Sequence, residues 1–530
     1  MQNRKSSWLS LIPALLMVVV AGINISWLAS RPKLDALVFA VALVIALDWF
    51  FIQWVALHRL TFQIASLWRC RSRDQAPQEL PGRPLRFAIF YATCDDLVES
   101  CLLSCLSQDY PAEQFGVFVC DDSTAEGSRA AVDRLCAEKG MKPPLRRPPG
   151  TGFKAANLNY AYRACAGGSW DWIVIVDADQ MLPRTYLRAL ADDVAGTPPE
   201  VCFIQSGQLP EGVLSGQVQT PFQTAMRLER LMLFERDLPW RYEAGFYPFL
   251  GHCGAVRSTA WERLGGFPEC VSEDMAFTMA AHRKGLRGAP AVKSRSLDGV
   301  PKDFPAFVVR LNKYAAGAAE LLVRHFPAYL SSRAQFVEKA DLGAWLGSYA
   351  ALPLLFLSIA PTTWLNWRIW NEGLVQLDPT LASAFVGMFL LSFAPLISVS
   401  ESPWSAVRHW VWSFAIYNAA LPVAACSFVV HLFRSPRFQC TPKGTRPSPP
   451  HVVAGILTCV AGLSLVALAL FCWSPFSLIT LSFGLAQVLF PLFRLLHIQL
   501  GIAAFLSRLL IWIPGLLFAA GVLLMWLRGS

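Results

Sequence analysis

Long apolar runs occupy both ends of the 530-residue chain, and the stretch between them mixes short apolar segments with polar ones. A helix needs about 20 predominantly apolar residues to cross the ~30 Å hydrocarbon core of a bilayer. Residues 8–29 and 35–57 meet that requirement, so 1–60 reads as an N-terminal transmembrane hairpin whose first span is retained rather than cleaved. After residue 330 the apolar runs return at 343–364, 380–399, 404–433, 451–473, 476–495 and 503–527. Residues 404–433 differ: Trp404, Arg408, His409 and Trp410 crowd the start, and Leu421-Pro422 interrupts the middle. That pattern predicts an interfacial or re-entrant hairpin. Seven crossings follow, with interface and transmembrane helices over 330–435, a Pro-rich polar connection over 436–450 and further transmembrane helices over 451–530.

The middle of the chain has a different period. A Pro- and Arg-rich linker at 74–84 leads into a segment, 85–320, that reads as a soluble domain. Residues 87–92 (FAIFYA), 115–120 (FGVFVC) and 172–176 (WIVIV) are apolar runs of strand length, and 96–107 and 275–285 read as helices. Continuous apolar strands belong to parallel sheets covered on both faces. Strands separated by helix-length segments predict a doubly wound, Rossmann-like α/β domain inserted between membrane helices.

Composition agrees with this division. The chain is 54% hydrophobic and 16% charged, against roughly 45–50% and about 25% in soluble proteins. Its net charge of +9 gathers beside apolar spans, at Arg59, Arg69, Arg71 and Arg73 and again at Arg434, Arg437, Lys443 and Arg446. Basic residues flanking spans mark the cytoplasmic side, so the central domain is expected in the cytoplasm of a plasma (inner) membrane protein. No basic helix with interleaved aromatics suggests nucleic acid. The 14 cysteines form no C-x-x-C pair and have no His partner at zinc spacing, so they read as small buried hydrophobes.

Candidate chemistry lies where strands give way to loops, the place where open α/β sheets bind ligands. Asp121-Asp122-Ser123 follows the strand at 115–120, and Asp177-Ala178-Asp179 follows 172–176. Two carboxylates at i, i+2 can hold one hard cation, with substrate phosphates completing the octahedron. Each cluster alone reads first as a turn signal. Ser272-Glu273-Asp274 opens the helix at 275–285, where acidic residues also complement the helix dipole. A carboxylate there is a candidate general base for a hydroxyl acceptor.

In order, these stretches resemble the family-2 glycosyltransferases, in particular the membrane-integrated branch that includes cellulose synthases. YATCDD at 91–96 resembles a T-Y-N-E loop, QDYP at 108–111 matches Q-D-Y-P, and Asp121-Asp122 falls on D-D-G with Ser123 in place of Gly. KAANLN at 154–159 matches K-A-G-N-L-N, and Asp177 and Asp179 fall on D-x-D. FIQSGQ at 203–208 is similar to F-V-Q-T-P-Q, and Gly251-His252 with Ala255-Val256-Arg257 to G-H-N-A-x-x-R. Glu273-Asp274 matches T-E-D, and FQCTPKG at 438–444 resembles an F-x-V-T-x-K gating loop. The resemblance covers roughly 85–445. It departs at 310–314, RLNKY, where the family has Q-x-x-R-W.

The resemblance implies a GT-A type fold and inverting transfer from a nucleotide diphosphate sugar, a uridine nucleotide, to a growing polysaccharide coupled to its translocation. Asp274 is the implied base. Thr93, Asp96, Asp121, Asp122, Lys154, Asn157, Asp177, Lys313, Tyr314, Thr441 and Lys443 are implied to bind the donor. Gln205, Gln208, Glu273 and Tyr314 fall to the acceptor, and Asp177 and Asp179 to Mg²⁺ or Mn²⁺. The implied partners are the nucleotide-sugar, a glycan or lipid acceptor, the bilayer and accessory export subunits. The altered 310–314 segment keeps open a non-processive glycolipid synthase; intact carboxylates argue against an inactive transporter or scaffold.

Overall fold

The computed structural model describes residues 36–69, 84–165, 170–210, 221–301, 303–371, 393–436, 449–494, 496 and 502–529. The expected span at 8–29 and most of 74–84 and 436–450, with Thr441 and Lys443, lie outside the described residues.

The central domain is built on one seven-stranded sheet. Its strands are β1 (Phe87–Thr93), β2 (Phe115–Asp121), β3 (Trp172–Asp177), β4 (Gln180–Met181), β5 (Val201–Pro210), β6 (Gly254–Arg257) and β7 (Arg287–Asp298). They lie side by side in the order β2-β1-β3-β6-β5-β7-β4. The three strands expected from their apolar runs form the parallel half, with β1 between β2 and β3. Alternate residues of each serve opposite layers: Phe87, Ile89, Tyr91, Trp172 and Val174 pack on one face, and Ala88, Phe90, Ile173 and Ile175 on the other. Burial on both faces is what a helix-covered parallel sheet requires. The other half departs from a purely doubly wound sheet, because β6 runs antiparallel to both β3 and β5. Four residues, two of them small, leave no periodic signal for such a strand.

Helices Ala36–Arg69, Phe336–Asn371, Pro403–Phe433, Pro449–Phe471 and Trp512–Gly529 form the apolar part. Each contains a stretch long and apolar enough to cross a membrane. Large apolar side chains left exposed on them, such as Val44, Leu47, Leu357 and Ile456, suit a surface that faces lipid.

The segment 404–433 corrects the expectation. It is one continuous helix, Pro403–Phe433, and no re-entrant hairpin forms. Ser402 caps it, its Oγ accepting from the Ser405 N–H at 3.1 Å, with Pro403 at the first position. Pro422 is tolerated in its interior because neighbouring helices enclose that turn: Leu421 packs with Ile359, Leu465 and Phe476. Of the expected span at 380–399, the described part is its end, from residue 393. That end is a short helix, Phe393–Val399, which packs on Met232 of the central domain and is tied to it by Arg236 Nε donating to Ser398 Oγ at 2.9 Å. The expected span at 476–495 is likewise broken, into helices Ser477–Val488 and Phe490–Phe493 around a proline at 491.

Candidate active site

Register aligns the first site residues. Thr93 pairs with Asp121 across β1 and β2, and Ala92 with Asp177 across β1 and β3. One rim of the sheet therefore carries all three loops. Thr93 Oγ1 donates to Asp96 Oδ1 at 3.0 Å and the Cys94 N–H donates to the same oxygen at 2.8 Å, so Asp96 closes the turn after β1. Asp95, with a φ of 59°, accepts from the Ala125 N–H at 3.0 Å and thereby caps the helix Glu126–Glu138. Asp121 is buried and accepts from Arg146 Nε at 2.7 Å, while Asp122 accepts from Arg147 Nη2 at 2.9 Å. Asn157 Nδ2 donates to the Cys120 carbonyl at 3.0 Å and fixes the helix Phe153–Cys165 under the rim.

Lys154, on that helix, reaches the centre of the cleft. Its Nζ donates to Asp177 Oδ1 at 2.5 Å and to the Gly251 carbonyl at 2.7 Å, and lies 4.0 Å from Glu273 Oε1. Burial pushes the Asp177 carboxyl up, but the Lys154 ammonium, with His252 and Lys313, outweighs it and holds the group down to about 2. Asp179 follows on the turn into β4, with Oδ2 close to Gly299. Among the described residues no group of three or more His, Cys, Asp or Glu is placed to hold a metal ion. Asp177 and Asp179 offer two carboxylates on one turn, a donor set that suits a cation arriving with phosphate rather than one caged by protein alone.

Glu273 and Asp274 open the helix Glu273–Arg283 on the far side of the cleft. Burial raises both carboxyls, and the adjacent Asp274 charge raises Glu273 further. Lys154 and Lys313 pull both in the opposite direction. Two glycines make this arrangement possible. Gly251 has a φ of 79°, and a side-chain carbon there would lie 3.0 Å from Asp274 Oδ2. On the helix Phe304–Arg324, a carbon at Gly317 would lie 2.0 Å from Ser272 Oγ. That helix brings Lys313 into electrostatic reach of the carboxylates, and Tyr314 on it is exposed. Arg310, one turn earlier, donates from Nη2 to Glu229 Oε2 at 3.2 Å, and Tyr417 Oη of the helix Pro403–Phe433 donates to Glu229 Oε1 at 2.5 Å.

Two residues expected at the acceptor serve other groups. Gln205 is buried, and its amide braces the loop before β6: it accepts from the Leu250 N–H at 2.9 Å and donates to the His252 carbonyl at 3.1 Å. Gln208 is also buried; it donates from Nε2 to His252 Nδ1 at 2.7 Å and accepts on Oε1 from Arg230 Nη1 at 2.5 Å. Arg230 in turn meets Asp298 Oδ2 at 2.7 Å. His252 is the residue that sequence reasoning missed, although the Gly251-His252 pair was a signal for it.

The sequence profile of glycosyl transferase family group 2 matches residues 172–525. Among curated relatives, the chain is 23% identical over 360 residues to a cellulose synthase 2 of Novacetimonas hansenii, covering 66% of this chain and 21% of that protein. It is 29% identical over 226 residues to a cellulose synthase 1 of Komagataeibacter xylinus, covering 40% of this chain and 14% of that protein. The chain thus spans only a minor part of those relatives' own length. A solved mannosyltransferase from Pyrobaculum calidifontis, in complex with GDP-Man and Mn²⁺, aligns with 73% of this chain and 99% of its own, at 21% identity and a TM-score of 0.46. With the profile matching more than half of its residues, the chain belongs to glycosyl transferase family group 2, and its mixed α/β domain is joined to helices long and apolar enough to cross a membrane.

Proposed function

We propose that the protein transfers a sugar, with inversion, from a nucleotide diphosphate sugar to a growing polysaccharide, and couples this to translocation of the product. The observation that carries the reading is the convergence of Asp177, Glu273 and Asp274 on one cleft under the shared influence of Lys154 and Lys313. Similarity to cellulose synthases supports the polysaccharide acceptor, and the uridine nucleotide follows from the same likeness.

In this reading Asp274 takes the proton of the acceptor hydroxyl as its oxygen attacks the anomeric carbon, and the nucleotide diphosphate leaves from the opposite face. A base on one side and a stabilised leaving group on the other is the logic of inverting displacement at a sugar. Asp177 and Asp179 would hold Mg²⁺ or Mn²⁺, which when bound supplies Lewis-acid stabilisation to the diphosphate. Lys313 adds positive charge on that side, and the resemblance of 438–444 to a gating loop assigns Thr441 and Lys443 to the donor as well. Thr93, Asp96, Asp121, Asp122 and Asn157 shape the nucleotide pocket, with Arg146 and Arg147 fixing its two aspartates. Tyr314 offers an exposed aromatic face to the acceptor, Glu273 borders it, and Gln205 and Gln208 act behind it. The basic residues beside the spans support a cytoplasmic catalytic domain at the inner membrane.

A second reading, transfer of a single sugar to a membrane lipid, is favoured by one observation. The Arg310–Glu229–Tyr417 cluster places an ion pair between the cleft and the membrane helices, where the related motif has a neutral amide. The two readings separate when the full chain in lipid vesicles, with Mg²⁺ or Mn²⁺, is given a panel of radiolabelled nucleotide-sugars. Label in high-molecular-weight polymer supports the first; label in a single small organic-soluble species supports the second. No labelled product with any donor defeats both.

A further inference from the structure

We infer that His252 contacts substrate in the transfer reaction: it presents a fixed Nε2–H to a hydroxyl of the transferring sugar, and Gln180 and Gln208 hold it in that state. The inference rests on the sugar-transfer reading and deepens it.

The proton positions follow from partners that can only donate. Gln180 Oε1 accepts from the Asp177 backbone N–H at 2.9 Å, so the atom it turns towards His252 is its NH₂. Gln208 Oε1 accepts from Arg230, so its NH₂ also faces His252. Arginine has no acceptor to offer. Both NH₂ groups meet His252 Nδ1, at 2.5 and 2.7 Å. A ring nitrogen that receives two donors carries no proton of its own. The neutral imidazole then has its single N–H on Nε2. Among the described residues Nε2 has no hydrogen-bond partner, and the residue is only partly buried.

Position identifies what the free N–H meets. His252 follows Gly251, whose carbonyl receives Lys154 and whose backbone lies against the Asp274 carboxylate. Asp177, Asp298 and Asp274 all act electrostatically on the ring, as do Lys154 and Arg230. Through Gln180 the imidazole is tied to Asp177, which marks the leaving-group side, and through Gly251 it adjoins Asp274, the base. In an inverting displacement the body between those two ends is the sugar itself. A donor locked from behind by two amides is pre-organised for one hydroxyl, and sites built to bond a hydroxyl discriminate strongly against sugars lacking it.

The test uses the full chain in vesicles, with the accepted nucleotide-sugar and its monodeoxy analogues, for wild type and for His252→Asn. In wild type, removal of one particular hydroxyl is expected to lower kcat/KM by about 10-fold or more, while His252→Asn loses a comparable factor on the intact sugar and nothing further on that analogue. Losses that simply multiply for every analogue overturn the inference while leaving wild-type transfer intact; a wild type inactive with every intact donor overturns the proposed function as well. A second readout is independent of activity. In long-range ¹H–¹⁵N spectra of histidine-labelled protein, the resonance absent from His252→Asn should show the Nε2–H tautomer. Gln208→Glu combined with Gln180→Leu, which leaves Nδ1 facing only an acceptor, should convert it to Nδ1–H. A wild-type Nδ1–H form overturns the inference.

Discussion

At the scale of single residues, the cleft is a balance of three carboxylates against two ammonium groups, and its pH dependence follows from that balance. As the proposed base, Asp274 must be ionised to act, and burial raises its carboxyl. The acid limb of kcat/KM is therefore expected above the ordinary aspartate value of about 3.9. Lys154 lowers the same group, so Lys154→Met should move the limb to still higher pH; a limb that stayed in place would remove Lys154 from the balance. Asp274→Asn should keep donor binding and lose roughly 10²–10⁴-fold in turnover, measured by donor titration beside single-turnover assays. Gly317→Ala drives a carbon into Ser272 Oγ. It should cost about 1–3 kcal/mol in thermal unfolding and lower turnover through the shifted Glu273–Asp274 turn. Asp177 was legible in the sequence because it ends an unbroken apolar strand, and Glu273 and Asp274 because they open a helix. The inward tasks of Gln205 and Gln208 were not, since an amide that braces a loop and one that binds a sugar leave the same letter in the chain.

At the scale of elements, legibility tracks periodicity. The strands at 87–92, 115–120 and 172–176 were readable because both their faces are buried and each run is unbroken. β6 was not, for it is only Gly254–Arg257 and is held by neighbours distant in sequence. The helix Pro403–Phe433 shows the opposite failure. Polar and aromatic residues at its start and an internal proline are local signs of a break, whereas enclosure by other helices keeps it continuous. If it crosses the bilayer, cysteines introduced at positions 403 and 434 should label from opposite sides of sealed vesicles. Labelling of both from one side would restore the hairpin.

At the scale of the whole molecule, the α/β domain and the apolar helices share a buried polar junction. Asp341 of the helix Phe336–Asn371 accepts from Arg241 Nη1 at 2.6 Å and from the Phe246 N–H at 2.9 Å, and meets His58 Nε2 of the helix Ala36–Arg69 at 3.1 Å. All three side chains are buried. Asp341→Leu would strand the Arg241 charge and should destabilise the protein by about 3–5 kcal/mol, read as a lowered thermal midpoint in detergent. Adding Arg241→Met should recover much of that loss. Phe246 begins the segment that runs to Gly251 and His252, so the loop bordering the cleft takes its anchor from a residue in an apolar helix. A water-soluble fragment ending near residue 330 would therefore keep every carboxylate of the cleft and still lose the peg from which its loop hangs. Cleft and apolar helices are in this way joined as one mechanical unit, and a search for the proposed turnover should begin with those helices in place.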